Sequence, residues 1–436
     1  MQARNIIVAF LLGSLPLLSW ADSPPSPIQD STQTSQDINT STVLALEDAI
    51  AFTLKNNPLL YQYHFRHQSL MAQREASSLS PALELGIEIE NIAGSGEFNG
   101  VDSAETTLAL SSVIELGAKA RSRVAVVDAR SDRLNFERQA ATLDVLGELT
   151  ALFIRTLATQ ESIALSKEAA ALSERMLKTV RQRASKGAAP EAEVMRAKAA
   201  LIRASVRLNA QHSSFERQRM ALSSFWGSTN PHFSTLSGSL SVLDASGDFA
   251  SLLQRAQRSP AIAIFASEAR LKDAEVKLAQ AQSRVDIGWQ LGVRRFEETD
   301  DTAFTAGISI PLFSGKRNHG AVTSALAERN AVDYQQVDAQ LKLHNRLFTA
   351  FSQRKENTAA VKQFSSQILP ALEQALNLTR QAYETGRYRY QDWIAAQEEL
   401  LTAKQQHIEA ATAAQLNQAL IEQLIAEPLT TDNLPY

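Results

Sequence analysis

The 436-residue chain contains no cysteine. Disulfides, thiolate metal sites and cysteine nucleophiles are therefore excluded, and so is a lipid-anchored N-terminus, which needs a cysteine at the cleavage point. Beyond the first twenty or so residues there is no apolar run of about 18, the length a membrane-spanning helix needs. The net charge of −4 gives no support to a nucleic-acid partner. No H-E-x-x-H, G-x-S-x-G or P-loop pattern occurs. An enzyme is not indicated, nor is any cofactor. Aromatic residues are sparse, at 6 %, and alanine is abundant, which suits long and closely packed helices.

What is present begins with "MQARNIIVAFLLGSLPLLSWADSPPS". A positive start at Arg4, an apolar stretch to about Leu18 and small residues at Ser19 and Ala21 form a secretory signal peptide, residues 1–21. The mature chain then crosses the inner membrane of a bacterium. It either stays soluble in the periplasm or enters a membrane as β-strands. Residues 22–42, rich in proline, serine and threonine, read as a flexible leader.

The rest of the chain is written twice. The first repeat spans residues 43–226 and the second 248–426, with a polar, glycine-rich linker at 227–247 and a tail at 427–436. "NNPLLYQYHFRHQSLMAQREASS" is answered by "RSPAIAIFASEARLKDAEVKLAQAQ". Each repeat then changes to a period of two. Leu83, Leu85, Ile87 and Ile89 alternate with Glu84, Gly86, Glu88 and Glu90 in a hairpin at about 82–115. In the second hairpin, at about 285–312, Ile287, Trp289, Leu291 and Val293 alternate with Asp286, Gly288, Gln290 and Arg294.

Long helical hairpins follow, at about 117–226 and about 315–426. From Gly117 to Gly187 there is no proline, and Leu146, Leu149, Phe153 and Leu157 step along one helix face. At 1.5 Å per residue such a helix is about 100 Å long. Ile394, Leu401 and Ile408, spaced seven apart, predict a packed seam on the last helix.

A lone hairpin is unstable in water, and a bilayer admits only closed barrels. Four strands of about 9–11 residues match a tilted span but cannot close. Three chains would supply twelve, with an apolar outside and a polar lumen. The alternative is a soluble periplasmic coiled-coil scaffold or adaptor-like protein whose hairpins pack on a small domain. Signal peptide, strand lengths, missing thiols and helix length together favour the barrel.

The order of these segments resembles the TolC-type outer-membrane efflux family over essentially the whole mature chain. "LALEDAIAFTLKNNP" is similar to its first helix, and "SSVIELGAKARSRVAVVDA" and "ISIPLFSGKRNHGAVTSALAE" to its strand-to-helix junctions. "IELG" and the P-L-F…N-x-G of Pro311–Gly320 look most like the branch serving heavy-metal cation exporters of the RND type. The resemblance implies a mainly α fold with a membrane β-barrel. It implies a homotrimer in outer-membrane lipid with a twelve-stranded barrel, continued by a long α-helical barrel in the periplasm. It also implies a periplasmic adaptor and an inner-membrane RND-type transporter as partners. The protein would be a passive exit duct, with the exported substrate unspecified.

"TRQAYETGRYRYQDWIAAQEELLTAKQQ" is similar to the family's periplasmic tip. Gly386 turns the chain there as Gly187 does in the first repeat, and an acid stands six positions after each, Asp392 and Glu193. By resemblance Asp392 takes the place of a gate aspartate. Ala395 stands where some relatives carry a second acid. Glu193 also reads as an ordinary surface partner of Arg196. Glu84, Glu88, Glu90 and Asp286 share the non-lipid strand face and would line the lumen, either as a cation bias or simply as the polar face any such barrel needs. His64 and His67 share a helix face, but no third metal ligand is evident, so no metal site is assigned.

Overall fold

The computed structural model describes residues 43–241, 247–312 and 314–426. The signal peptide, the leader, the C-terminal tail and part of the mid-chain linker lie outside the described residues.

The first half runs β1 (Val43–Leu44), α1 (Leu46–Asn56), α2 (Pro58–Ser78), β2 (Glu84–Glu90), β3 (Glu105–Ile114), α3 (Lys119–Ser185) and α4 (Glu191–Ser224). The second runs β4 (Thr235–Leu236), α5 (Phe249–Ala256), α6 (Pro260–Gln282), β5 (Ile287–Phe296), β6 (Thr302–Ser309), α7 (Ser314–Gln363), α8 (Leu369–Glu384) and α9 (Tyr390–Ile425). The order helix pair, hairpin, long helix, return helix occurs twice. No described helix is long and apolar enough to cross a membrane.

Local chemistry sets the boundaries. Proline opens both α2 and α6, where its missing N–H costs nothing. The Asn57 side chain accepts from the Leu59 and Leu60 N–H groups and donates to the Phe225 carbonyl at 2.8 Å, so one residue caps α2 and ties it to the end of α4. Helix α3 is 67 residues long, or about 100 Å. Its second-half counterpart is α7 and α8 joined through a five-residue π-helical turn, Phe364–Ile368. Pro370 explains that turn. Its ring cannot donate to the preceding turn and presses on the carbonyl of Ser366, and a widened turn relieves both problems.

Three apolar clusters hold the helices. One surrounds the short parallel pair β1–β4 and gathers Leu44, Leu149, Phe153, Leu222 and Leu236. A second, with Leu252, Leu343, Leu347 and Ile421, anchors α5 against α7 and α9. The third lies near the glycine turns and contains Met176, Val180, Tyr383, Tyr390 and Trp393. Full burial of one such aliphatic side chain contributes about 1.5–3 kcal/mol. On α9 Trp393 and Leu400 are buried while Ile394 and Leu401 are only half-buried, but further along Ile408 is buried and His407 is not. The predicted seam therefore holds at Ile408, and nearer the start of α9 the buried line lies one residue earlier. Helix α9 packs on both α3 and α7, so its apolar stripe is wide enough to include both sets.

The four long strands form one antiparallel sheet in the order β2-β3-β5-β6. The two repeats join at its centre, through β3 and β5. Strands β2 and β6 have seven and eight residues, short of the expected 9–11, whereas the central pair have ten each. The outer strands have a neighbour on one side only, so their ends lack ladder partners.

Candidate functional site

Each long helical hairpin turns through the same local device. The Gly187 N–H donates to the Ala184 carbonyl and the Ala188 N–H to the Arg183 carbonyl, at 2.9 and 2.8 Å. Gly386 and Arg387 repeat this on Tyr383 and Ala382 at the same distances. Both are Schellman turns, with φ of +73° at Gly187 and +79° at Gly386. A Cβ would meet nothing within 4 Å at Gly187 and only an Arg183 nitrogen at 3.7 Å at Gly386. Glycine is needed for the backbone angle, not for room.

Glu193 and Asp392 occupy the same place, the third residue of α4 and of α9, but their carboxylates do different things. Asp392 is exposed, and its Oδ2 accepts the Arg389 N–H at 2.9 Å, capping α9. Glu193 turns toward the other hairpin, where its Oε2 accepts from the Tyr383 hydroxyl at 3.0 Å. Its partner in the structure is thus Tyr383 from the second repeat.

Tyr383 is the centre of the tip. It is 2 % exposed, and the Arg183 guanidinium lies 4.5 Å over its ring. Trp393 and Tyr390 pack 5.2 and 6.5 Å from it, centre to centre. Arg183 also donates to the Tyr383 carbonyl and, at 3.2 Å, to the Ala188 carbonyl. It thereby holds both turns. Burial and the hydrogen bond to Glu193 push the Tyr383 phenol up to about 12. Burial likewise raises Tyr390, whose hydroxyl is buried without a hydrogen-bond partner among the described residues.

Neither Tyr383 nor Arg183 is singled out by the sequence pattern. The available signal is four aromatic residues, Tyr383, Tyr388, Tyr390 and Trp393, that gather on one turn of a chain poor in aromatics.

The sheet has two unlike faces. Leu85, Ile87, Leu108, Leu110, Leu291, Phe304 and Ile308 share one, and Phe304 is 90 % exposed. Glu84, Glu88 and Glu90 share the other with Glu105, Thr107, Gln290 and Arg294. Glu90 is ion-paired to Arg294 at 2.9 Å. Asp286 lies just before β5, where it pairs with Lys119 at 2.6 Å and accepts the Leu116 N–H at 3.2 Å. It belongs to the strand-to-helix junction and its charge is compensated there. His64 and His67 are exposed on α2, with His64 against Gln68.

Residues 252–427 match the family profile described as outer membrane efflux protein. That stretch is similar to an outer membrane efflux protein. The chain is also 24 % identical over 291 residues to the cobalt-zinc-cadmium resistance protein CzcC of Cupriavidus metallidurans, covering 67 % of this chain and 70 % of that protein. The fold matches a membrane protein from Pseudomonas aeruginosa with a TM-score of 0.73 at 16 % identity, over 92 % and 95 % of the two chains. It matches CusC, a protein described as forming a transmembrane channel, with a TM-score of 0.73 at 14 % identity, over 87 % and 91 %. The TolC-type duplicated fold expected from the sequence is the observed one. The matched stretch is similar to outer membrane efflux proteins, not to a family of enzymes.

Proposed function

We propose that the protein is the outer-membrane channel subunit of a tripartite efflux system. Three copies form a twelve-stranded barrel and a continuous helical tunnel. An inner-membrane RND-type pump supplies energy, and a periplasmic adaptor engages the tip. One observation carries this reading: a four-stranded sheet with two open edges and an exposed apolar face on β2, β3, β5 and β6. Water does not tolerate that face over such an area, and a bilayer does not tolerate the edges. Copies joined β2 to β6 satisfy both.

The cargo on this reading is a divalent metal cation, supported by the similarity to a cobalt-zinc-cadmium resistance protein. Glu84 and Glu88 supply the acidic lumen face. Gly187 and Gly386 shape the periplasmic tip, Glu193 and Tyr383 hold it shut, and Asp392 faces the pore as its acidic ring. The test is fractionation followed by light scattering of detergent-extracted protein and planar-bilayer recording. A trimer from the outer membrane that conducts weakly and prefers cations is expected, with the preference reduced by Asp392→Ala. A monomer released without detergent would establish the periplasmic scaffold instead.

A further inference from the structure

The polar face of the sheet is not uniformly acidic. At the end nearest the hairpin loops, Glu90 and Glu105 are direct cross-strand partners on β2 and β3. Like charges so placed repel one another. Arg294, on the adjoining strand β5, reaches both. Its Nη2 lies 2.9 Å from Glu90 Oε2 and its Nη1 2.8 Å from Glu105 Oε2, while Nε donates to Thr107 Oγ1 at 2.8 Å. Asn91 donates to the second Glu105 oxygen at 3.0 Å. Further along β2, Glu88 and Glu84 stand opposite Thr107 and Ser111, neutral residues that offer no such compensation.

We propose that Arg294 is a selectivity-determining residue that discharges the loop-side mouth of the lumen, so that divalent cations are released there and not retained. The assignment rests on the channel reading given above. Two facing carboxylates are a natural pair of ligands for a divalent cation. The guanidinium, ion-paired with both, fills the place where such an ion would bridge them. A duct must attract its cargo and also let it go, which requires weak sites at the exit. With Arg294 in place, the two acids keep a single uncompensated charge. Without it they keep two, in each of three copies.

The experiment uses the full-length protein in planar bilayers, with cobalt chloride added on the side of the hairpin loops. Arg294→Gln is expected to be blocked at roughly tenfold lower cobalt than wild type, the effect of one additional charge on a divalent ion a few ångströms away in water. Arg294→Lys should keep wild-type block, because it keeps the charge although it loses the guanidinium. Glu90→Gln alone should need more cobalt than wild type, and Glu90→Gln combined with Arg294→Gln should return toward it. A residue that only braced the hairpin would not give this charge-ordered series. Wild-type block in a conducting Arg294→Gln trimer overturns the assignment and leaves the channel reading standing. If Arg294→Gln fails to assemble, unchanged block in Glu90→Gln overturns it equally. A wild-type protein that never conducts overturns the channel reading first, and this inference with it.

Discussion

The Tyr383 hydroxyl stands 3.0 Å from Glu193 Oε2, a hydrogen bond between residues 190 positions apart. It crosses from the last turn of α8 to the first turn of α4, and so joins the two glycine turns of one chain. Because the acceptor is a carboxylate, such a bond contributes about 1.5–3 kcal/mol. Tyr383→Phe should therefore loosen the tip by roughly that amount while the sheet and the cluster around β1 and β4 stay folded. Single-channel recording should show more frequent and larger openings. Glu193→Gln keeps an acceptor and should fall between the two. Identical opening in wild type and Tyr383→Phe would remove the link from the gate.

The same phenol gives the tip an alkaline limit. Its pKa is raised from the ordinary value near 10 to about 12 in the folded tip. A raised value means that the protonated form is the one stabilised. The contribution is complete below pH 10 and disappears as the pH passes through about 12. Ultraviolet titration should find a tyrosine ionising near pH 12 that is lost in Tyr383→Phe while the raised Tyr390 signal remains, with opening rising over the same range. A tyrosine titrating entirely near pH 10 would contradict the buried link.

Tyr390 makes the control. Its ring packs beside Tyr383, but its buried hydroxyl has no hydrogen-bond partner among the described residues. Removing an unsatisfied buried hydroxyl relieves a cost of about 1–3 kcal/mol. Tyr390→Phe should leave thermal stability equal to wild type or higher, with the tip still closed. A clear loss of stability would mean that the hydroxyl has a partner in the assembled protein.

The two faces of the sheet should respond differently to charge. Leu85→Arg and Leu291→Arg place a cation on the apolar face, at about 2–4 kcal/mol each near a bilayer midplane. Glu88→Gln removes a charge from the other face and should assemble normally. The amount of trimer in outer-membrane fractions measures this. Equal tolerance on both faces would refute the lipid-facing assignment.

The sequence made the repeated order of elements and the parity of the strands readable because both depend on local periodicity. Leu85 and Glu84 differ by one position, and one position decides the face. Gly187 and Gly386 were legible for the same reason, since a positive φ is a local demand. The partners of the two acids were not. Glu193 finds Tyr383, and Asp286 finds Lys119, across 190 and 167 residues. Such pairings depend on how α3, α4, α8 and α9 are placed side by side, which no single helix pattern contains. The seam on α9 departs from the predicted line at Ile394 and Leu401 but not at Ile408 for a related reason: a helix facing two neighbours has no single line of contact.

The π-helical turn at Phe364–Ile368 acts on the tip from a distance. Along α7, Leu347, Arg354 and Val361 are buried at intervals of seven, and on α8 Leu376 and Tyr383 resume that interval. Between Val361 and Leu376 the step is fifteen, two heptads and one residue more. The widened turn absorbs that extra residue, without which every side chain beyond it would be rotated by about 100° around the axis. A phase error introduced some four turns upstream is thus cancelled before Tyr383, and the phenol arrives facing α4. The alignment of Tyr383 with α4 is set in the shaft, near Pro370, as much as in the glycine turns themselves.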